Sequence, residues 1–446
     1  MQSAQFYLRY RIQVHEFVMK ASSKLAAVVW AFSLLAHAED PVEVHGQATY
    51  VRQWMPPFHS PYGGPKSLNA DGETGYSFTA TVFLGARLAE GTEFYFNPEF
   101  VQGVPLSHLQ GVGGFANGES QRGAGPSLTL YRARLFLRQT WNLAGEMEEQ
   151  ASEANQVHTR YAAERFVVTA GNVSALDVFD AVDYSRDPRT QFMNWSSLTY
   201  GAWDYPADAR GYTWGLAGEY ISPGWQVRAG RFMMPKESNG LPLDHGILRH
   251  YGDVVEFEKP HGFAGMPATT RLLVYRNRVF AGAFDDALAA GTPPDITTVR
   301  KSQTKTGFGI GTQVEVTKTL GAYVRAGWSD GKTETFAFTE IDRSLAAGLL
   351  AKGASWGRPQ DSFGVAAYLN GLSDSHRDYL AAGGQGFFLG DGRLNYANEK
   401  IGELFYSVNV IRGTWLTADY QYVMNPGYNR DRGPAQVLNF RAHFEF

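Results

Sequence analysis

The stretch AQVLNFRAHFEF, residues 435–446, decides the fold. Leu438, Phe440, Ala442, Phe444 and Phe446 alternate with Val437, Asn439, Arg441, His443 and Glu445. Successive side chains of a strand point to opposite faces, so one face is apolar and aromatic and the other mostly polar. A soluble sheet that ended this way would leave an exposed apolar edge. A membrane barrel removes the edge by pairing its last strand with its first, rings outward. The expectation is an all-β, transmembrane antiparallel barrel closed by residues 435–446.

The same two-residue rhythm recurs upstream. In 75–88, Tyr76, Phe78, Ala80, Val82, Leu84, Ala86 and Leu88 oppose Ser77, Thr79, Thr81, Phe83, Gly85 and Arg87. In 92–101, Phe94, Phe96, Pro98 and Phe100 oppose Glu93, Tyr95, Asn97 and Glu99. That acidic face cannot meet hydrocarbon, so it faces internal water. Further strands are expected at 43–54, 128–141, 164–172, 211–222, 224–233, 251–258, 269–279, 305–317, 320–329, 342–352, 361–370, 399–411 and 414–424, about sixteen in all. Of these, 251–258 is the least regular, and 343–352 reads equally as a short helix. Tight connections near 90, 223, 319 and 412 contrast with long ones at 102–126, 173–210, 281–304 and 371–398. Short periplasmic turns and long extracellular loops produce that asymmetry.

Composition agrees. No apolar run reaches the ~18–20 residues of a membrane helix, yet aromatic residues make up 14% of the chain, and 49 glycines supply turns. The absence of cysteine excludes a disulfide framework and thiolate metal sites. A net charge of −4 gives no reason to expect nucleic acid. Residues 1–38 read as an N-terminal extension and a signal peptide: Lys20 and Lys24, a short apolar core from Leu25 to Leu35, then Ala36-His37-Ala38 for cleavage after Ala38. The signal proper could begin at Met19. Residues 39–446 are then the barrel, in a Gram-negative-type outer membrane.

Residues 128–141, LTLYRARLFLRQTW, hold the most pointed chemistry. Alternation puts Arg132, Arg134 and Arg138 on one face with Phe136, and Tyr131, Ala133, Leu135 and Leu137 on the other. Guanidinium groups are always charged and offer five donors in a fork. Opposite Glu93, Asn97 and Glu99 they would form a wall of both signs, able to replace the water of a sugar hydroxyl; ion pairs that merely stiffen the lumen are the alternative. Tyr184, Trp195, Trp203 and Tyr205 of the 173–210 insert either narrow the pore and stack on sugar or pack the loop itself. Asp177, Asp180, Asp183 and Asp187 match no calcium-loop spacing and suit ion pairs with Arg186 and Arg189 better than a metal. No HExxH or GxSxG motif is present, so neither an enzyme nor a cofactor is expected.

Several segments resemble, in order, the carbohydrate-selective porins of the OprB type: GETGYSFTATVFLGARL, FYFNPEFVQG, GVGGFANGES, RARLFLRQTWNLAG, SRDPRTQFMNW, GAWDYPADARGYTWGLAGEY, and the ending YLAAGGQGFFLGDGRLNY with YQYVMNPGYNRDRGP. The resemblance runs from about residue 70 to the C-terminus; Ala116 and Ser120 depart from it. It implies a sixteen-stranded outer-membrane barrel admitting monosaccharides such as glucose by passive diffusion. Its constriction residues would fall among Glu93, Asn97, Glu99, Arg132, Arg134, Arg138 and Trp195. The competing readings are a general or anion-preferring channel and, further off, a barrel enzyme. Lipid and small sugars are the partners expected; monomer and homo-oligomer both stay open.

Overall fold

The computed structural model describes residues 42–121 and 125–446; the extension and signal segment expected at 1–38 lie outside them. Sixteen antiparallel strands close into one barrel. They are β1 (Val42–Met55), β2 (Glu73–Ala89), β3 (Thr92–Val104), β4 (Thr129–Gln150), β5 (Thr159–Val173), β6 (Thr213–Ser222), β7 (Trp225–Phe232) and β8 (Tyr251–Phe263), followed by β9 (Met266–Ala281), β10 (Lys301–Thr317), β11 (Leu320–Ser329), β12 (Arg343–Lys352), β13 (Ser362–Gly371), β14 (Glu399–Ile411), β15 (Thr414–Met424) and β16 (Ala435–Glu445). Each pairs with its sequence neighbour, and β16 returns to β1 from Gln47 opposite Glu445 to Trp54 opposite Leu438. The Phe446 backbone seals the seam, exchanging hydrogen bonds of 3.0 and 3.1 Å with Gly46.

Alternation sets inside from outside. On β16, Val437, Asn439, Arg441 and His443 are buried inward while Leu438 and Phe440 are exposed outward. On β2, Ser77, Thr79 and Thr81 face in, and on β3, Glu93, Tyr95, Asn97 and Glu99 do. The outer wall carries Leu272, Val274, Phe308, Ile310, Val324, Leu345, Leu349, Val365 and Leu404 in contiguous strands, an apolar surface suited to acyl chains. Stacked or tilted ring pairs rim it: Tyr50–Tyr76 and Phe308–Trp328 towards the long loops, Trp141–Phe166, Tyr220–Trp225 and Trp356–Tyr406 towards the short turns. The segment that reads equally as a helix, 343–352, is strand β12.

Connections at one end are tight. At Gly91 and Gly413, φ of +66° and +74° puts the chain in the left-handed region that glycine enters without steric cost. At the other end every connection is longer, and the largest, 174–212, turns inward. Short helices at Trp195–Leu198, Phe284–Ala290 and Asp374–Ala381 lie in these loops.

One expectation fails on β4. Asn97 pairs with Arg134, but Pro98 pairs with Arg132, leaving Ala133 as an extra residue in a bulge. A one-residue insertion reverses the parity of everything before it. Arg132 therefore points outward, exposed, its guanidinium 5.0 Å from the Trp214 ring centre, and Tyr131 points inward to Glu99. Because Arg132 sits close to the long-loop end of β4, its charge stays at the membrane surface rather than in hydrocarbon.

Candidate functional site: the charged constriction

The insert 174–212 hangs inside the barrel because polar wall residues hold it on nearly every side. Arg134 of β4 grips Asp177 with Nε and Nη2, both at 2.7 Å. Asp177 also closes a capping box with Ser174, which fixes its approach to the wall. Burial alone would raise its carboxyl group's pKa, but Arg134 holds it below the ordinary aspartate value. Arg189 reaches back to β3: Nη2 donates to Glu99 at 3.0 Å and Nε to Glu119 at 2.9 Å. Glu99 additionally accepts from the Thr81 and Tyr131 hydroxyls. Arg325 of β11 pairs with Asp180 at 3.0 Å and donates to the Ser197 carbonyl at 2.9 Å. Arg441 of β16 donates to the carbonyls of Pro188 and Gln191 at 2.7 and 2.8 Å. Tyr275 of β9 donates to the Ala202 carbonyl at 2.8 Å, and Lys305 of β10 lies 3.4 Å from Asp204. Glu403 of β14 accepts from the Met193 amide.

The inward-facing arginines are thus matched by carboxylates or carbonyls. Arg134 and Asp177 keep 14% and 24% of their side-chain surface accessible, and Arg189 keeps 12%, whereas Glu99 behind it keeps none. The lumen therefore meets charges that are balanced locally: Glu99 backs Arg189 from the wall, and Asp177 meets Arg134 from the insert. Arg138 completes this wall, 3.6 Å from Glu93 and with its guanidinium 5.1 Å from the Tyr95 ring centre. A further bank lies on the adjoining arc. Arg228 donates to Glu219, Glu256 and Glu258 at 2.8–2.9 Å, and Arg271 to Glu258 at 3.0 Å.

The residues expected to cooperate do so in altered pairings. Glu93 faces Arg138; Asn97 stands opposite Arg134 but donates to Asn155; Glu99 takes Arg189 instead of an arginine from β4. Arg132 is outside. Trp195 is committed to packing: it stacks on Phe338 at 5.5 Å, meets Phe115 and Phe388 edge-on, and donates from Nε1 to Asn117 O at 2.8 Å. It knits the insert to three other loops. Each of the four aspartates weighed for calcium has protein partners: Asp177 with Arg134, Asp180 with Arg325, Asp183 with Gln313, and Asp187 with Thr190 and the Arg189 amide. Arg134 and Arg325, rather than the expected Arg186 and Arg189, form the ion pairs of Asp177 and Asp180, while Arg189 pairs with Glu99 and Glu119.

A second intrusion comes from the short-turn end. Strands β4 and β5 run past the barrel wall, bend at irregular pairings between Asn142 and Met147, and bring residues 151–158 back into the lumen. There Asn155 accepts from Asn97 at 2.7 Å and from Arg138 at 3.2 Å, the Val157 amide donates to Tyr95 at 3.1 Å, and the His158 amide donates to Glu43 at 2.8 Å. Gly85 makes the room: a Cβ there would lie 2.7 Å from the Val157 side chain.

A sixteen-stranded barrel whose longest loop folds inward to a balanced charged constriction has the plan of a porin. Residues 66–446 match the profile of the carbohydrate-selective porin, OprB family. The chain belongs to the OprB family. A comparison with curated protein sequences finds no match. Among solved structures, the high-pH form of Pseudomonas putida OprB superposes with a TM-score of 0.66 at 17% identity, covering 91% of this chain and 94% of that one. The low-pH form of the same protein gives 0.50 at 14% identity, over 91% and 93%. At such identities the superpositions establish shared architecture. Membership of the OprB family makes the protein a bacterial outer-membrane sugar porin.

Proposed function

We propose that this OprB-family porin lets neutral monosaccharides, glucose among them, diffuse passively into the periplasm past the Arg134–Asp177 and Arg189–Glu99–Glu119 pairs. Arg138 reaches the path just below, with Glu93 buried behind it. The observation that carries this reading is the pairing itself. Guanidinium edges backed by carboxylates offer donors and acceptors at short range without a strong net field. A sugar hydroxyl donates and accepts at once, so it exchanges water for such a wall at little cost. An anion-preferring pore would need unbalanced arginines, and those of this wall are balanced. Binding stays weak enough for release, as flux requires.

Liposome swelling tests the proposal. Glucose is expected to enter faster than an acyclic hexitol of the same size, and equal rates would remove the selectivity. Reversal potentials in a salt gradient are expected near zero; strong anion selectivity would support the general-channel alternative.

A further inference from the structure

The long-loop end contains a cavity of about 470 Å³, separate from the paired wall of the constriction. Six connections contribute to its lining, among them the insert, through Ala209. Its volume falls within the ~300–1,000 Å³ of small-molecule sites. We propose that this cavity is a capture subsite for a neutral pyranose, filled before the sugar reaches the constriction; the proposal rests on the sugar-porin reading above.

Four observations carry it. Asn239 lines the cavity, is only 5% exposed as a residue, and its side-chain amide, with no hydrogen bond to the described residues, keeps its remaining access on the cavity side. Its backbone is fixed by donation to Phe336 O at 2.7 Å in the left-handed region, φ 50°, which asparagine tolerates better than most residues. An amide fixed in place and open to the cavity exchanges its water for a sugar hydroxyl with little further ordering. Second, Arg300 is clamped by Glu334 through Nε and Nη2, both at 2.8 Å, which leaves Nη1 without a partner among the described residues. Third, the charged lining is Lys66, Arg300, Glu237 and Glu334, two of each sign, so an ionic guest gains nothing over a neutral one. Fourth, Leu241, Ile296 and Phe387 supply apolar surface beside the polar groups, matching the C–H faces and hydroxyl rim of a sugar ring.

The cavity also communicates with the constriction. Glu334 lies in the loop 330–342, whose Phe336, Ala337 and Phe338 amides donate to the Asp204 carboxylate of the insert at 2.7–3.1 Å. Sugar held outside is therefore held by the element that positions the insert.

Single-channel recording in planar bilayers, with glucose added to the long-loop side, tests the subsite. The variants are Asn239→Gly, which keeps the left-handed backbone while deleting the amide, and Gln385→Ala, which removes another amide of the lining. Heat-modifiable gel migration identifies the folded protein. The half-saturating glucose concentration for current reduction is expected to rise up to about tenfold in Asn239→Gly, as for one lost hydrogen bond, and less in Gln385→Ala. If wild type responds to glucose and both folded variants respond at the same concentration, the capture subsite falls while the sugar-porin reading survives. If wild type does not respond and liposomes swell equally with glucose and the acyclic hexitol, both fall.

Discussion

Two segments enter the lumen from opposite ends and are held differently. The insert 174–212 is fastened by charged groups: Arg134 with Asp177, Arg189 with Glu99 and Glu119, Arg325 with Asp180. The turn 151–158 is fastened by single hydrogen bonds, some to the charged groups Arg138 and Glu43 and others to Asn97 and the Tyr95 hydroxyl, with no arginine–carboxylate pair between turn and wall. Charged, desolvated contacts are strong and all-or-none, because breaking one strands its partner. Separate hydrogen bonds yield one at a time, each at about 1–3 kcal/mol. The contrast assigns the insert to permanent architecture and the turn to the adjustable part of the pore.

The sharpest way to break this contrast is Arg189→Ala. It leaves Glu99 and Glu119 without their cation, and stability should fall by roughly 3–5 kcal/mol, read from denaturant unfolding in detergent. Surviving channels should conduct more, and an unchanged midpoint would show the insert to be loosely held.

Alkaline titration comes next. His376, wholly buried in the outer loops, donates from Nδ1 to Asp342 at 2.8 Å and lies 3.6 Å from Glu340. Burial alone would favour neutral imidazole, but the two carboxylates win and raise its pKa to about 9. A raised folded-state value stabilises fully below the unfolded value of about 6.5. That stabilisation is lost as pH climbs through about 9. Hydrogen exchange in 330–342 and 372–398 should therefore accelerate across that window by more than exchange in 151–158. Equal acceleration after correction for intrinsic rates would remove His376 as a lock.

A smaller effect is expected from Asn155→Gly, which suits the local φ of 60° but deletes the acceptor for the buried Asn97 amide. The cost should be about 1–2 kcal/mol, with a modest rise in conductance. A collapse as large as that of Arg189→Ala would erase the distinction between the two segments. Smallest of all is Arg132→Ala. An outward, exposed side chain resting on Trp214 should change neither sugar preference nor ion selectivity, and stability by less than about 1 kcal/mol. Altered selectivity would place Arg132 inside after all.

All sixteen strands were legible in the sequence, because lipid and lumen impose opposite demands on alternate residues. Arg132 was misread for the same reason: a spacing of two means a shared face only while the ladder is regular, and the bulge at Ala133 leaves no compositional mark. Arg189 has no periodicity around it, and its partners Glu99 and Glu119 are 90 and 70 residues away. The segment 151–158 is polar and reads as a solvated turn; its path inward depends on the missing side chain of Gly85. The outer cavity is assembled from six separate connections, a coincidence in space with no local pattern.

The insert is tied to β3, β4, β9, β10, β11, β14 and β16, strands on opposing arcs of one cylinder. It acts as the hub of a spoked wheel. The rim cannot be squashed into an oval by lateral pressure from the surrounding bilayer without snapping several spokes, so the bore is set by the reach of a few side chains and not by the tension of the membrane around it.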